Sequence, residues 1–391
     1  MIGGVERVIA QQVRAFVAHG IAVTVCAGTG GPLPGADWVP CEELVPDDPL
    51  VKAATEETRG GCAGGSAHAR LAQRFLDGLK TTFADCELVL VHNLFTMPFN
   101  IAATEALWRW AETGERPRLV HWLHDIAVIN PNYTLGACDS PPWSLLRRNA
   151  PGVQQITVSE TRRRQWIEVS GAEASEIGLC PNPLDASEIA GLSPVWAAFA
   201  ETHRIWERDL VLLHPTRVLR RKNIECTIRT VAALRAAGCD AVALITGAPD
   251  PFNPASAEYG EDLREIIAAA GMQEAVWFLR DQATVADSDL AGLYQMADLL
   301  FFPSRQEGFG LPVVEAALLR VPVAMAEIEP LRELASSENA LFFPLETAAE
   351  TVAVKLKEWM ENLPAHVWRK RTLRRHLLAR IWHEHLLPLL Q

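Results

Sequence analysis

The segment "RQEGFGLPVVEAALLR", residues 305–320, decides the fold of the second half of the chain. It follows the apolar run "LLFFPS" (299–304), which is typical of a buried strand, and it continues into an apolar helix pattern with Pro312 in the first turn. Glu307 precedes the predicted helix, and Glu315 lies one turn inside it. The sequence therefore predicts a strand, a glycine-rich turn and a helix, with one carboxylate on each side of the helix start.

The start of this helix predicts an anion site. The first N–H groups of a helix have no partner within the helix, and the helix dipole favours negative charge beside them. We therefore expect the backbone amides of Gly308, Phe309, Gly310 and Leu311 to bind a phosphate. The two carboxylates that flank the site can accept hydrogen bonds from sugar hydroxyls, so the ligand indicated is a nucleotide sugar.

A second set of residues in "HPTRVLRRKNIE" (214–225) supports this interpretation. Arg217 ends a predicted strand, and Lys222 follows at the start of the next helix. Two cations beside a cleft can neutralise a diphosphate, because Arg offers a planar fork and Lys a compact charge. The intervening Arg220 and Arg221 are expected to be solvated neighbours. By itself a Glu pair is more often a solvated surface, and it is the agreement with the cations that favours a site.

Composition excludes some classes of protein. The chain has 391 residues, of which 49% are hydrophobic and 21% charged, and its formal net charge of -12 argues against nucleic-acid binding. No apolar run reaches the roughly 18 residues of a membrane span, and "MIGGVERVIA" lacks the features of a signal peptide. The eight cysteines form no CxxC and are interpreted as reduced structural thiols. These features predict a cytoplasmic protein.

The order of apolar runs and helical patterns predicts an α/β protein with parallel sheets. A seam at residues 183–208 interrupts the alternation, so we predict two Rossmann-like domains, 1–185 and 186–370, with a ligand-binding cleft between them. Residues 371–391 are expected to form a helix that returns to the first domain. The predicted strands are 22–28, 87–93, 118–125, 154–160, 210–217, 241–248, 275–280, 299–304 and 321–327.

Taken together, these motifs resemble the retaining GT-B glycosyltransferases of the glycosyltransferase 4 family. The resemblance rests on "TRVLRRKN", "PSRQEGFGLPVVEA", an initial "GGVERV", the "HD" at 124–125 and "PNPLD" at 181–185. It implies transfer of a hexose from a nucleotide diphosphate sugar to an acceptor hydroxyl, with retention of configuration and without a bound metal or other cofactor. The implied acceptor is a small molecule, a glycan or a lipid-linked compound, and peripheral contact with the inner membrane face is left open.

The resemblance also implies roles for individual residues. Arg217 and Lys222 would hold the diphosphate, Glu315 the ribose and Glu307 the donor sugar. The amides of Phe309 to Leu311 would anchor sugar and phosphate. Gly3 and Gly4 would form a glycine loop facing the diphosphate, and His124 would occupy the active-site histidine position, with His124 and Glu307 as the catalytic residues.

Several alternatives remain open at this stage. A phosphorylase, an epimerase or a non-catalytic binding module could share the same fold. His124 could instead be a core histidine, as His92 and His121 could be. The basic runs 161–166 and 368–376 are most simply interpreted as solvated helix faces. The alternative is that they form a surface that binds an anionic membrane or the acceptor.

Two features depart from the family pattern or from the expected fold. Arg280 stands where the family commonly carries Gly, and residues 248–262 form a long, Pro-rich segment that could reshape the nucleotide pocket. The chain also begins at the glycine loop, with 22–28 as its first predicted strand, so the sequence predicts an N-terminal sheet without its usual first strand. We expect the natural polypeptide to start roughly ten residues upstream, the length of a strand and its turn.

Overall fold

The computed structural model describes residues 3–45, 47–59, 65–114, 117–133, 135, 139–248 and 254–391. Contacts divide the chain into a first unit, Met1–Leu184 with Leu378–Gln391, and a second unit, Asp185–Leu377. Residues 371–377, which the sequence analysis placed in the returning C-terminal helix, therefore lie in the second unit. Two predicted thiols, Cys62 and Cys138, lie outside the described residues.

The elements alternate along the chain as the sequence patterns require. The strands are β1 (Thr24–Ala27), β2 (Asp37–Pro40), β3 (Leu88–His92), β4 (Arg118–Leu123), β5 (Gln154–Thr157), β6 (Ile177–Leu179), β7 (Leu210–His214), β8 (Ala241–Ile245), β9 (Val276–Phe278), β10 (Leu299–Phe302), β11 (Val323–Ala326) and β12 (Leu341–Phe343). The helices are α1 (Gly4–Ala18), α2 (Pro49–Arg59), α3 (Ser66–Thr82), α4 (Ile101–Thr113), α5 (Glu160–Ser170), α6 (Ala186–Ala190), α7 (Pro194–Thr202), α8 (Ile224–Ala236), α9 (Pro254–Ala269), α10 (Leu279–Gln282), α11 (Asp287–Met296), α12 (Leu311–Leu318), α13 (Glu329–Arg332), α14 (Ala349–Glu361), α15 (Pro364–His376) and α16 (Leu378–Ile381).

The second unit is built on a six-stranded sheet in the order β12-β11-β10-β7-β8-β9, with every pair parallel. Its central strands β7, β8 and β10 are buried along their whole length. Strands covered by helices on both faces need continuous apolar sequence, which explains why these runs do not alternate with polar residues. The chain order reverses between β7 and β10, and this reversal determines where a ligand can bind.

The sheet of the first unit is split. Strands β3 to β6 form a four-stranded parallel sheet, and β1 and β2 form a separate parallel pair. Both parts border the same two apolar clusters: Cys26 packs against the cluster that contains Val89, and Val23 against the cluster that Leu88 joins. Within the described part of the chain, no strand pairs with β3 on the side away from β4. All four residues of β1 remain half-exposed, as expected for a strand with an open edge.

The C-terminal residues complete the core of the first unit. After α16 the chain forms one π-helical turn over Trp382–Leu386. The Trp382 ring stacks on His19 with centroids 3.9 Å apart and meets Phe16 of α1 edge-on at 5.5 Å. This packing explains the apolar character of the last residues.

Two segments have local structure that the sequence analysis did not fully anticipate. Most of the Pro-rich segment 248–262 is helical, because α9 begins at Pro254, where proline is favoured in a first turn; residues 249–253 lie outside the described residues. The basic run 161–166 is not simply solvated. Arg162 pairs with Asp125 at 2.9 Å, and Arg163 donates to the Ile177 carbonyl at 2.9 Å.

Candidate functional site

The site in the second unit lies where β7 and β10 run side by side. Leu212 pairs with Leu299, so the loops that follow the two strands leave the same edge of the sheet. Because the strand order reverses here, the helices that follow lie on opposite faces and leave a crevice between their first turns. The loop after β7 carries the predicted cations, the loop after β10 carries Glu307, and the helix that follows carries Glu315.

The start of α12 has the geometry predicted for an anion site. Gly310 is the N-cap and has a φ of +110°, and a Cβ there would lie 2.6 Å from the Leu331 side chain, so glycine is required. No hydrogen bond from the N–H groups of Gly308 to Leu311 is found within the described part of the chain. The side chains of Phe309 and Leu311 are 52% and 63% exposed, so the helix start is open to a ligand.

Glu307 is paired with a cation of the neighbouring loop. Its Oε1 lies 2.5 Å from the Lys222 Nζ, and the two side chains are only 8% and 11% exposed. The Arg221 Nη1 approaches the other carboxylate oxygen at 3.3 Å, so Arg221 is not the solvated neighbour that the sequence predicted. Arg220 does point elsewhere: it pairs with Asp262 at 2.7 Å and lies over the Tyr259 ring.

Arg217 is exposed just beyond β7. The backbone on which it stands is packed closely against the residues that follow β8. A Cβ at Gly247 would lie 1.7 Å from the carbonyl oxygen of Thr216 and 2.8 Å from the Cα of Arg217. The Val218 N–H also donates to the Ala248 carbonyl at 3.2 Å. Gly247 was not singled out by sequence, although it follows the buried strand β8 directly.

Gly247→Ala is expected to destabilise the second unit by about 2 to 3 kcal/mol, because the backbone that carries Arg217 must move. Calorimetry should show the thermal midpoint lowered by roughly 5 to 10 °C. Gly308→Ala is the matched control, since a Cβ there meets nothing within 4 Å. Equal midpoints for the two variants would show that the close approach at Gly247 is not structurally important.

Glu315 is oriented by a tyrosine that the sequence analysis missed. The Tyr294 hydroxyl donates to the Glu315 Oε2 at 2.8 Å, and its ring is almost fully buried. Burial and the neighbouring carboxylate raise the pKa of the Tyr294 phenol, so it stays a hydrogen-bond donor. Glu315 therefore presents a fixed carboxylate one turn into α12.

Tyr294→Phe is expected to weaken binding of nucleosides and nucleoside diphosphates by about 0.5 to 1.5 kcal/mol, since Glu315 loses its donor while the ring still fills its space. Inhibition by pyrophosphate, which has no ribose, should be unchanged. Equilibrium titrations with the three compounds test this. Equal weakening of all three would contradict a role for Glu315 at the ribose.

In the first unit, His124 directly follows β4 and lies beside His92, the last residue of β3. The His92 Nδ1 and the His124 Nε2 are 3.0 Å apart. The Asn93 Oδ1 accepts from the backbone N–H groups of His124 at 2.8 Å and Asp125 at 3.2 Å. Asn93 has a φ of 63°, a conformation that an Asn tolerates better than most residues. Asn93 was also missed by the sequence analysis.

These histidines are uncharged at neutral pH. Loss of hydrating water lowers the pKa of His92 to about 3 and that of His124 to about 4. His124 is half-buried. Its hydrogen bond to His92 occupies Nε2, and no partner of Nδ1 is found among the residues that the structure describes. Asp125 is held by Arg162, Asn130 and the Ile126 N–H, which agrees with a structural role for its carboxylate.

The structure also places His121, Gly3 and Gly4, which the sequence analysis had considered. His121 is fully buried and its Nδ1 donates to Gln155 at 2.7 Å, as a core histidine does. Gly3 is the N-cap of α1 and Gly4 its first residue. Both lie at a helix start. A Cβ at Gly4 meets nothing within 4 Å, and one at Gly3 meets only the flexible end of Glu6, so packing does not demand glycine at either position.

Neither a metal site nor a membrane span is found within the described residues. No three His, Cys, Asp or Glu side chains there come together as metal ligands. None of the helices in that part of the chain is both long and apolar enough to cross a bilayer.

Two α/β units with parallel sheets, one of them carrying an open helix start and paired cations at its switch point, define the class of the protein as GT-B-like. Family comparisons agree. Residues 2–188 match the profile described as Glycosyltransferase Family 4, and residues 198–374 match that described as Glycosyl transferases group 1. Together these matches span nearly the whole chain, which belongs to the glycosyltransferase 4 family of enzymes.

Individual relatives are distant. The chain is 26% identical over 288 residues to a D-inositol 3-phosphate glycosyltransferase of Kineococcus radiotolerans, covering 70% of this chain and 59% of the relative. It is 23% identical over 268 residues to a mannosylglucosylglycerate synthase of Petrotoga mobilis, covering 62% of this chain and 60% of the relative. The chain thus spans about three fifths of these relatives. A solved structure described as Anabaena Alr3699/HepE in complex with UDP and glucose is 18% identical, with 100% and 97% of the two chains covered and a TM-score of 0.38.

Proposed function

We propose that the protein transfers a hexose from a nucleotide diphosphate sugar to an acceptor hydroxyl, with retention of configuration and without a bound metal. The observation that carries this proposal is the Glu307–Lys222 pair beside the open start of α12. Cations and helix amides that converge on one point are suited to a diphosphate, and a carboxylate beside them is suited to sugar hydroxyls. Arg217 adds a second cation on the loop after β7.

Each group has a defined part in the proposed reaction. The bond between the sugar C1 and the diphosphate oxygen breaks, and its electron pair stays on the diphosphate. Lys222, Arg217 and the amides of Gly308 to Leu311 stabilise that charge. The acceptor oxygen forms its bond to C1 on the same face, and its proton passes to the departing phosphate. No carboxylate nucleophile is required.

Glu307 and His124 are proposed to act on the sugar. Glu307 accepts hydrogen bonds from the donor hydroxyls and so fixes the ring beside the diphosphate. His124 is neutral, so it orients the sugar through hydrogen bonds and contributes no positive charge. Glu315, held by Tyr294, is proposed to accept from the ribose hydroxyls. Gly3 and Gly4 are proposed to present the α1 amides to the diphosphate.

The test is a panel of nucleotide sugars assayed for nucleoside diphosphate release with and without acceptors. The names of the relatives suggest D-inositol 3-phosphate and glycerate glycosides as the first acceptors to try. Release that depends on an acceptor, persists in EDTA and gives a product of the donor's anomeric configuration by NMR would support the proposal. Release that requires inorganic phosphate would indicate a phosphorylase. Conversion of the donor without an acceptor would indicate an epimerase, and binding without turnover would indicate a non-catalytic module.

For the acceptor side we propose contact with an anionic membrane surface through α15. Trp368 is 73% exposed, and Arg371 and Arg375 lie three and seven residues further along the same helix face, also exposed. Two other cations of this helix are ion-paired: Lys370 is buried and bound to Asp298 at 2.6 Å, and the exposed Arg374 pairs with Asp209 at 2.9 Å. A tryptophan beside exposed arginines is typical of a surface that lies at lipid headgroups. Bound there, the protein would meet a lipid-linked acceptor.

Vesicle co-sedimentation tests this contact. The protein is expected to bind vesicles containing phosphatidylglycerol and not vesicles of phosphatidylcholine alone. Arg371→Ala with Arg375→Ala should weaken binding roughly tenfold or more, at about 1 kcal/mol per cation. Trp368→Ser tests the aromatic part of the proposed contact. Its control is Leu318→Ser, at a residue that is 80% exposed and lies outside α15. Equal binding to both vesicle types would rule out an electrostatic membrane contact.

A further inference from the structure

We propose that Arg221 is a positioning residue of the donor site, which holds the Glu307 carboxylate so that the Lys222 ammonium remains available to the diphosphate. This inference rests on the proposed function and extends it to a residue outside the predicted donor set. The starting observation is that Glu307 contacts two cations from one short turn, Arg221 and Lys222.

The contacts of the two cations differ. Lys222 is buried, with its Nζ 2.5 Å from the Glu307 Oε1 and over the Phe302 ring. Arg221 is half-exposed and reaches the loop from its open side: its Nη1 donates to the Gln306 carbonyl at 3.0 Å and lies 3.3 Å from the Glu307 Oε2. Each carboxylate oxygen therefore has its own cation.

Charge balance explains why the second cation matters. Lys222 and Glu307 alone would form a neutral pair, and an incoming diphosphate would have to draw Lys222 away from a carboxylate that is almost fully buried. A buried carboxylate left without a partner is strongly unfavourable. With Arg221 present, the three groups carry a net charge of +1, and Glu307 keeps a partner while Lys222 turns toward phosphate. Arg221 therefore lowers the cost of donor binding without touching the donor.

Besides the hydrogen bond from the Arg221 side chain to the Gln306 carbonyl, two hydrogen bonds that do not involve that side chain hold the turn. The Arg305 N–H donates to the Arg221 carbonyl at 2.8 Å, and the Asn223 side chain donates to the Pro303 carbonyl at 3.1 Å. These bonds join the turn after β7 to the loop after β10 whatever side chain stands at position 221. A truncated variant should therefore fold normally, so its effects report on the charge and orientation of Glu307.

The chain offers a matched control in the adjacent residue. Arg220 is an arginine of the same turn, is also exposed, and is also ion-paired, but its partner is Asp262 at 2.7 Å. Arg220→Ala removes one positive charge from almost the same place. A difference between the two variants therefore reports the specific contact with Glu307 and not the general loss of charge.

The experiment compares Arg221→Ala, Arg221→Lys and Arg220→Ala by calorimetric titration with UDP, GDP and ADP and by steady-state transfer. We expect Arg221→Ala to weaken nucleoside diphosphate binding and to lower kcat, each by about tenfold, the scale for one hydrogen bond to a charged group. Arg221→Lys should recover part of both losses. Arg220→Ala should stay within about twofold, and the thermal midpoints of all three should match the unmodified chain.

A double-mutant cycle separates positioning from direct contact. If Arg221 acts through Glu307, Arg221→Ala should change little in a Glu307→Gln background, because the carboxylate that it holds is absent. An unreduced effect in that background, or equal behaviour of Arg221→Ala and Arg220→Ala, would overturn the inference while leaving the proposed function intact. If the unmodified chain binds none of the three nucleotides, the proposed function fails, and this inference fails with it.

Discussion

Lys222→Ala is expected to weaken nucleoside diphosphate binding by about 1.5 to 3 kcal/mol, the range for hydrogen bonds to charged groups. The structure gives two reasons. The variant loses the buried cation of the site, and among the described residues it leaves Glu307, 8% exposed, with Arg221 as its remaining ion-pair partner. The unpaired oxygen of a buried carboxylate beside an incoming phosphate adds repulsion to the lost attraction.

Calorimetric titration measures this effect directly. Lys357→Ala is the control, since Lys357 lies on α14 and makes only a long 3.5 Å contact with the Ala237 carbonyl. Arg217→Ala should weaken nucleotide binding in the same range, whereas Glu307→Gln should reduce turnover more than nucleotide affinity, because its proposed partner is the sugar. Unchanged affinity in both cation variants would show that the diphosphate does not bind at this site.

His124→Ala is expected to reduce transfer by about a hundredfold or more, the scale for a positioned polar group at a reaction centre. The thermal midpoint should stay within about 3 °C, because His124 is only half-buried and Asn93 continues to hold the backbone on which it stands. The rate should also show no titration of this group between pH 5.5 and 8. Its pKa is about 4, so the ring is already neutral throughout that range.

His121 provides the control for this variant. It is fully buried and bound to Gln155, so His121→Ala should lower the thermal midpoint by several degrees through the cavity it leaves. If His124→Ala instead loses stability and activity together, His124 is a core histidine like its neighbour. If activity instead rises with an apparent pKa near 6.5, and this pH dependence is lost in His124→Ala, the His124 ring is solvated.

The sequence was most informative where the signals are local. Residues 299–320 hold a strand end, a glycine turn and a helix start within one segment, so the open start of α12 could be predicted from residue types alone. The central strands of the second unit were found because strands buried on both faces are continuously apolar. Strands β2, β6 and β12 were missed because each is short and only partly buried.

The partners of the site residues could not be predicted in the same way. Arg221 and Glu307 are 86 residues apart, and Asn93 and His124 are 31 apart. Each pair meets because parallel strands place their carboxyl ends at one edge, but which side chain reaches which depends on register and rotamers. The same holds for Tyr294, whose hydroxyl reaches Glu315 from a different helix. Sequence spacing identifies the loops that meet, and the structure identifies the contacts within them.

The most direct test of the central claim is an experimental structure of the chain with a bound nucleoside diphosphate. We expect the diphosphate within hydrogen-bond distance of Lys222, Arg217 and the amides that open α12, with the ribose hydroxyls on Glu315 and no metal ion between phosphate and protein. A nucleotide bound at another edge of the sheet, or a diphosphate held through a metal while Lys222 stays on Glu307, would contradict the account.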